Sequence, residues 1–328
     1  MVDAIARLLP AKLPEPVAAE AYAPSNIALS KYWGKRDAVL NLPLNSSLSI
    51  SLADWGTTTK IEPADRSSLI FNGEPLVGTP FALKVWTFVN LLRRNQDIPL
   101  RIETTNSIPT AAGLASSASG FAALTKALAS AFQLALRGTE LSMISRLGSG
   151  SATRSFWHGF VRWERGQAAD GSDSFAQPVD APWPEFRIAL IPVDTGPKAQ
   201  SSRDGMTHTV ETSPLFPHWP EQAEADCKAI EAAIRAQDFS TLGAVAEANS
   251  LAMHATMMAA RPALTYLKPH SWEALNRLWQ ARAQGLEAYA TMDAGANVKL
   301  IFLAPSEPDI RALFPAAQII DPFGYSPE

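Results

Sequence analysis

Cysteine is nearly absent: the 328 residues contain one, Cys227. A lone thiol excludes an internal disulfide framework and fits a reducing cytosol, so a cytoplasmic location is expected. Its neighbours spell an amphipathic helix, which makes it a structural thiol rather than a nucleophile. Histidine is also sparse, with five residues. None stands in HExxH or at a zinc-ligand spacing, so no histidine metal centre is expected. Positive charge is not in excess: 28 Lys and Arg face 32 Asp and Glu, for a net charge of −4. That balance gives no electrostatic case for nucleic acid or an anionic membrane as partner. No apolar run reaches about 18 residues without a charge, and the first residues lack a signal-peptide layout. Internal repeats and low-complexity tracts are missing too.

What is present describes a globular enzyme-sized chain. Hydrophobic residues make up 47% and charged residues 18%, enough to bury a sizeable core. One core rarely grows past about 250–300 residues, so two domains are expected. Residues 1–18, rich in Pro and Ala, read as a loose tail. Alternation in "SLSISLA" (47–53) predicts a half-buried strand, with further short strands at 57–62, 68–71 and 100–104. Helical patterns cover 80–95, 120–136 and 139–147. The Pro-rich "QPVDAPWPEF" (177–186) is the best internal boundary, which gives domains of 19–185 and 186–328. Beyond it come a buried strand (186–193), helices at 219–236, 238–259 and 270–284, and strands at 287–292 and 297–303. Without regular βαβ alternation, this mixture argues for an α+β fold.

Five stretches could carry chemistry. "SIPTAAGLASSAS" (107–119) is spelled neither as GxxxxGK(S/T) nor as GxGxxG. It nonetheless leads into a helix whose free N–H groups and dipole suit an anion, with Gly113 for unusual dihedrals and Ser116, Ser117 and Ser119 as hydroxyl donors. A serine-capped tight turn fits the same spelling. In "SKYWGKRD" (30–37), Lys31 and Lys35 flank Tyr32 and Trp33, either a cationic ligand site or a solvated lysine pair. "GSGSATRS" (148–155) and "SSRDGM" (201–206) each set hydroxyls beside an arginine, Arg154 and Arg203, whose planar forks suit carboxylate or phosphate. In "TMDAGANVKLIF" (291–302), Asp293 sits at a strand end; such a carboxylate is either an Asx-turn residue or catalytic. His254 in "MHATMM" reads as a structural helix residue. Together these groups suit phosphorylated, carboxylated ligands.

The motifs "NIALSKYWGKRD…LNLPLNSSLSISL", "IPTAAGLASSAS", "GSGSATRS", "SSRDGM", "EANSLAMHATM" and "TMDAGANVKL" resemble, in order, those of the diphosphomevalonate decarboxylase family. That family belongs to the galactokinase–homoserine kinase–mevalonate kinase superfamily, and the likeness runs from about residue 20 to about 305. It implies a two-domain α+β fold of the kinase type, with a ribosomal-protein-like N-terminal domain and an α+β C-terminal domain. The implied reaction uses ATP to phosphorylate the 3-hydroxyl of (R)-5-diphosphomevalonate, then expels phosphate and CO₂ to leave isopentenyl diphosphate. The resemblance assigns Asp293, Lys31 and Arg154 to catalysis. It assigns Tyr32, Lys35, Ser149, Gly150, Ser151 and Arg203 to the substrate, and Gly113, Ala115, Ser116, Ser117, Ser119 and Ser202 to ATP. Ala115 replaces the glycine usual in the kinases, which is the decarboxylase-like spelling. Mg²⁺ is implied because ATP normally arrives with it; its ligands are left open. The family also implies a homodimer. Alternatives are a 5-phosphomevalonate decarboxylase, a mevalonate 3-kinase, or a silent nucleotide-binding protein. Two departures from the family pattern stand out: Ser30, where an aliphatic residue is common, and Ala296, where proline is common.

Overall fold

The computed structural model describes residues 3–108, 117–194, 196 and 200–325. The large sheet and the four-stranded sheet lie on either side of the Pro-rich segment in the chain. The first half holds β1 (Ala19–Ser30), β2 (Lys35–Asp37), β3 (Leu42–Pro43), β4 (Ser47–Pro63), β5 (Ser68–Phe71), β6 (Glu74–Pro75), β7 (Leu100–Asn106), β8 (Phe160–Trp163) and β9 (Ala176–Pro178). Its helices are α1 (Asp3–Ala6), α2 (Pro80–Leu92), α3 (Ser117–Ala131) and α4 (Gly138–Ser145). The second half runs β10 (Phe186–Ile191), α5 (Ser202–Thr212), α6 (Trp219–Ala236), α7 (Phe239–Met258), α8 (Pro269–Ala283), β11 (Ala288–Thr291), β12 (Val298–Leu303), α9 (Glu307–Leu313) and β13 (Gln318–Ile320).

The large sheet is ordered β6-β5-β7-β4-β8-β9, with β1 added along β4; β2 and β3 form a separate hairpin. The two strands expected at 47–53 and 57–62 are one. Residues 52–55 form a bulge of β4, where Ala53 has φ +49 and the β1 register jumps between Pro24 and Asn26. A Cβ on Gly56 would fall 2.2 Å from the Ala23 carbonyl oxygen, so the close approach of the two strands needs glycine there. The bend divides β4: Ser47–Ile50 pairs with β8 and Thr57–Pro63 with β7. β1 itself escaped the pattern because Pro24 interrupts it. Proline is tolerated at that bulge, on a strand that pairs, among the described residues, with β4 alone.

The second sheet, β11-β12-β10-β13, is antiparallel throughout. One apolar core joins the two sheets, packing Ile27, Leu48 and Ile50 with Phe186, Ile230, Leu242 and Leu300. A second core lies between the large sheet and α2, α3 and α4. This core corrects the reading of residues 1–18 as a loose tail: Ile5, Leu9 and Leu13 are buried in it, and the backbone N–H of Val17 bonds to the Ala131 carbonyl. Apolar residues spaced four apart supply the face; the high Pro and Ala content masked it.

Leu9→Ala therefore removes a buried side chain and should lower the free energy of unfolding in urea by about 2–5 kcal/mol. A change under about 0.5 kcal/mol, the range of surface substitutions, would mean that the segment does not pack.

Candidate active site

A cleft of about 580 Å³ opens between the two sheets. Its described lining carries six cationic side chains, Lys31, Lys35, Lys84, Arg154, Arg203 and Lys299, against a single carboxylate, Asp293. Such an imbalance on a chain of net negative charge favours a polyanionic ligand.

Lys31 follows β1 directly, and Asp293 follows β11. The Lys31 Nζ donates to Asp293 Oδ1 at 2.8 Å and to the Ala28 carbonyl at 2.9 Å. Helix α7 sets both segments. Asn249 Oδ1 accepts from the Lys31 backbone N–H at 2.8 Å, Ser250 exchanges hydrogen bonds with the Met292 backbone, and the His254 ring bonds to the Asp293 backbone. His254 is thus the structural helix residue its pattern suggests, 1% exposed and held neutral by burial, with its pKa lowered to about 4. Burial lowers the Lys31 pKa to about 8 against the opposing pull of Asp293. Burial disfavours the Asp293 carboxylate, but Lys299 and Lys31 outweigh it and hold its pKa well below the usual carboxylate range. With 38% of its side chain open, Asp293 stays reachable from the cleft.

Arg154 ends a short 3-10 turn, Gly150–Arg154. It is 3% exposed, donates to Ser47 Oγ at 2.5 Å, and lies over the Trp163 ring with 5.9 Å to the centroid. Burial lowers its pKa to about 10, which leaves it charged at neutral pH. Tyr32 packs edge-on against Trp163, and its hydroxyl is buried without a partner among the described residues. A Cβ on Gly150 would come 2.8 Å from the Tyr32 ring, so glycine is what lets the ring lie there. Lys35 Nζ donates to Asn41 Oδ1 at 2.6 Å; burial and Arg203 lower its pKa to about 8.

The expected residues Asp293, Lys31, Arg154, Tyr32, Lys35, Ser149, Gly150, Ser151, Arg203, Ser117 and Ser202 all line this cleft. Ser119 does not fit its expected place: it is fully buried, and its hydroxyl lies 2.7 Å from Thr57 Oγ1, where α3 packs on the sheet. Gly113, Ala115 and Ser116 lie outside the described residues. Two lysines escaped the sequence reading. Lys84 sits on the amphipathic α2, where it passes for a surface lysine, although burial, Arg203 and Lys35 lower its pKa to about 8. Lys299 reads as strand, and a lysine inside "NVKLIF" was the signal available. Ser30 is fully buried, with its hydroxyl turned to the Ala223 carbonyl at 3.5 Å and to the Cys227 thiol, so the polar replacement is satisfied against α6. Around Ala296 the turn is pinned by Ser271, which donates to its carbonyl at 2.6 Å.

The anion affinity of the cleft should fall as pH rises. Lys31, Lys35 and Lys84 have lowered pKa values and lose charge above about 8. Sulfate, a dianion over this range, should bind at least about tenfold more weakly at pH 9.5 than at pH 7 by calorimetric titration, since one pKa unit corresponds to about 1.4 kcal/mol. Constant affinity would contradict the lowered lysines.

Comparisons with known proteins identify relatives of the whole chain. Residues 23–176 match the family model described as diphosphomevalonate decarboxylase-like N-terminal domain, and residues 188–319 the mevalonate 5-diphosphate decarboxylase C-terminal domain. A diphosphomevalonate decarboxylase of Aspergillus fumigatus is 41% identical over 307 residues, covering 86% of this chain and 76% of the relative. The solved structure described as "MDDEF in complex with MVAPP, AMPPCP and Magnesium" matches with TM-score 0.87 and 39% identity, over 92% of this chain and 96% of the other. Mevalonate diphosphate decarboxylase from Staphylococcus aureus matches with TM-score 0.88 and 34% identity, over 93% and 95%.

Proposed function

We propose, since the chain belongs to the diphosphomevalonate decarboxylase family, that it uses ATP to convert (R)-5-diphosphomevalonate to isopentenyl diphosphate, ADP, phosphate and CO₂. The observation that carries this reading is the cleft itself, with six cations around one ionised carboxylate. The substrate 3-hydroxyl oxygen attacks the γ-phosphorus of ATP; as the O–P bond forms, the bond to ADP breaks and the hydroxyl proton is released to water. The original C3–O bond, now part of a phosphate ester, then breaks and its electron pair leaves with phosphate. Electrons of the bond to the carboxylate move into the C2–C3 double bond, and CO₂ departs. Both halves develop charge that preorganised groups can stabilise without a covalent enzyme intermediate.

Each side chain has a role in this sequence. Asp293, clamped and strongly acidic, is a weak base; its work is to accept from the 3-hydroxyl and aim it. Lys31 neutralises charge at the transferring phosphoryl group. Arg154, with its Nε unpartnered among the described residues, grips the substrate carboxylate. Tyr32, Lys35, Arg203 and the newly found Lys84 surround the diphosphate, with Ser149, Gly150 and Ser151 beside the substrate. Ser117 at the start of α3 and Ser202 at the start of α5 reach the ATP phosphates; Gly113, Ala115 and Ser116, which the resemblance also assigns to ATP, lie outside the described residues. No group of three His, Cys, Asp or Glu side chains that could hold a metal occurs among the described residues. Mg²⁺ would arrive with the ATP phosphates, and the Ser117 hydroxyl in the same cleft would be a further oxygen ligand. When bound, Mg²⁺ would neutralise phosphate charge. We take 19–185 and 186–328 as the two domains, which agrees with the family models breaking between 176 and 188. The one buried, unpaired cysteine supports a cytoplasmic location.

Asp293→Asn keeps the shape but loses the charge. Its turnover should fall at least about 10²-fold while substrate binding stays within about tenfold. Activity within about threefold of the parent, measured by release of CO₂ and isopentenyl diphosphate, would refute the role.

Substrate choice tests the other end of the cleft. Each charge-assisted hydrogen bond contributes about 1.5–3 kcal/mol, so 5-diphosphomevalonate should exceed 5-phosphomevalonate in kcat/KM by at least about a hundredfold. Lys35→Ala should narrow that ratio by weakening the diphosphate substrate more. Equal or reversed preference in the parent would replace this reading with a monophosphate decarboxylase, and ADP without CO₂ would indicate a 3-kinase.

A further inference from the structure

A lysine buried in a strand is costly unless its charge is met. Lys299 stands in β12 between Val298 and Leu300, 3% exposed, and opposite Thr291 in the β11 register. Its Nζ lies 3.1 Å from Asp293 Oδ2, while Lys31 holds the other oxygen, Oδ1, at 2.8 Å. The two ammonium groups come from different sheets. A carboxylate tied through one oxygen can still turn about its Cβ–Cγ bond; tied through both, it has one plane.

We propose that Lys299 is a positioning residue of the reaction centre: with Lys31 it clamps Asp293 by both oxygens and fixes the carboxylate plane toward the substrate hydroxyl. The proposal rests on the decarboxylase reading for what that hydroxyl is, but the clamp itself is a property of this chain. The charged and titratable groups facing it are Lys31 beyond β1, Arg154 on the 3-10 turn, Asp293, and neutral His254 on α7. Lys299 also acts on Lys31. A like charge so near presses the Lys31 proton off, adding to the burial that already lowers it. The clamp therefore serves twice, holding the acceptor rigid and keeping the neighbouring ammonium labile.

Lys299→Met removes the charge and keeps the length; Lys299→Arg keeps the charge. In protein labelled with ¹³C at lysine Cε, with the Lys31 signal assigned through Lys31→Arg, the Lys31 midpoint should start near 8. It should rise by about one unit in Lys299→Met and stay near the parent value in Lys299→Arg. In Lys299→Met, kcat should fall about tenfold or more with KM within about threefold, since misplaced reacting groups cost rate more than binding. Lys299→Arg should recover most of that loss. A Lys31 midpoint that does not move in a folded Lys299→Met protein overturns the proposal, and so does kcat within about twofold of the parent. A kcat loss that the arginine leaves unrelieved, with the midpoint unmoved, marks a merely structural lysine and also overturns it. Failure of the decarboxylase reading shows separately, as a parent without turnover; the Lys31 midpoint, which needs no substrate, then decides alone.

Discussion

The ion pair between Lys31 and Asp293 ties together two segments 262 residues apart in the chain. Lys31 is 2% exposed, so its ammonium has exchanged water for one carboxylate oxygen and one backbone carbonyl. Breaking such a pair by removing one partner leaves an uncompensated buried charge, which is far worse than never having had the pair. Strand β1 ends at Ser30, next to the lysine, and β11 ends at Thr291, two residues before the aspartate. The contact therefore pins these two strand ends together, in addition to the apolar core that joins the sheets. Helix α7 enforces it from behind through Asn249, Ser250 and His254, and Asn249 is itself oriented by a 2.8 Å bond to Asp226.

This backing explains which polar atoms are satisfied and which are not. Ser47 meets Arg154, Asn41 meets Lys35, and the Asn45 amide donates to the Lys31 carbonyl at 2.8 Å. Ser47 and Asn41 hold the charged ends of Arg154 and Lys35, and Asn45 holds Lys31 by its backbone. The Tyr32 hydroxyl and Arg154 Nε, by contrast, are buried without a partner among the described residues. A buried donor is rarely left so unless something else completes it. On the proposed function, phosphate and carboxylate oxygens of the ligands would complete them.

Legibility in the sequence followed the range of the interaction. Helix α6 was read at its observed bounds because a period of 3.6 is local. Asp293, Lys31 and Arg154 were legible because their flanking motifs are distinctive. What failed depended on distant partners: β1 gains strand form from β4 despite Pro24, and α5 begins within "SSRDGM", which small and polar residues made look like a loop. Lys84 and Lys299 were invisible for the same reason. Nothing near Lys84 in sequence says that Arg203 faces it, and nothing near Lys299 says that Lys31 shares its carboxylate. Ser119 erred in the opposite direction, since its motif suggested phosphate while tertiary packing gave its hydroxyl to Thr57.

The division of cations between arginine and lysine follows from the same burial. Arginine keeps its proton even when desolvated, and its planar fork has a direction; lysine is a compact charge whose proton burial can loosen. Arg154 accordingly stays charged with its pKa near 10, at the place assigned to a carboxylate that must be held in one orientation until C–C cleavage. The lysines lowered to about 8, Lys31, Lys35 and Lys84, line the part of the cleft that the proposed function gives to the phosphate groups. Their proton occupancy can follow the charge on the ligand, rising as a polyanion enters and relaxing as products depart. A cleft lined wholly by arginine would hold its products with the same full charge that attracted the substrates. One lined wholly by lysine would lose the carboxylate's orientation. On the proposed function, the mixture seen here would reconcile capture of anions with their release.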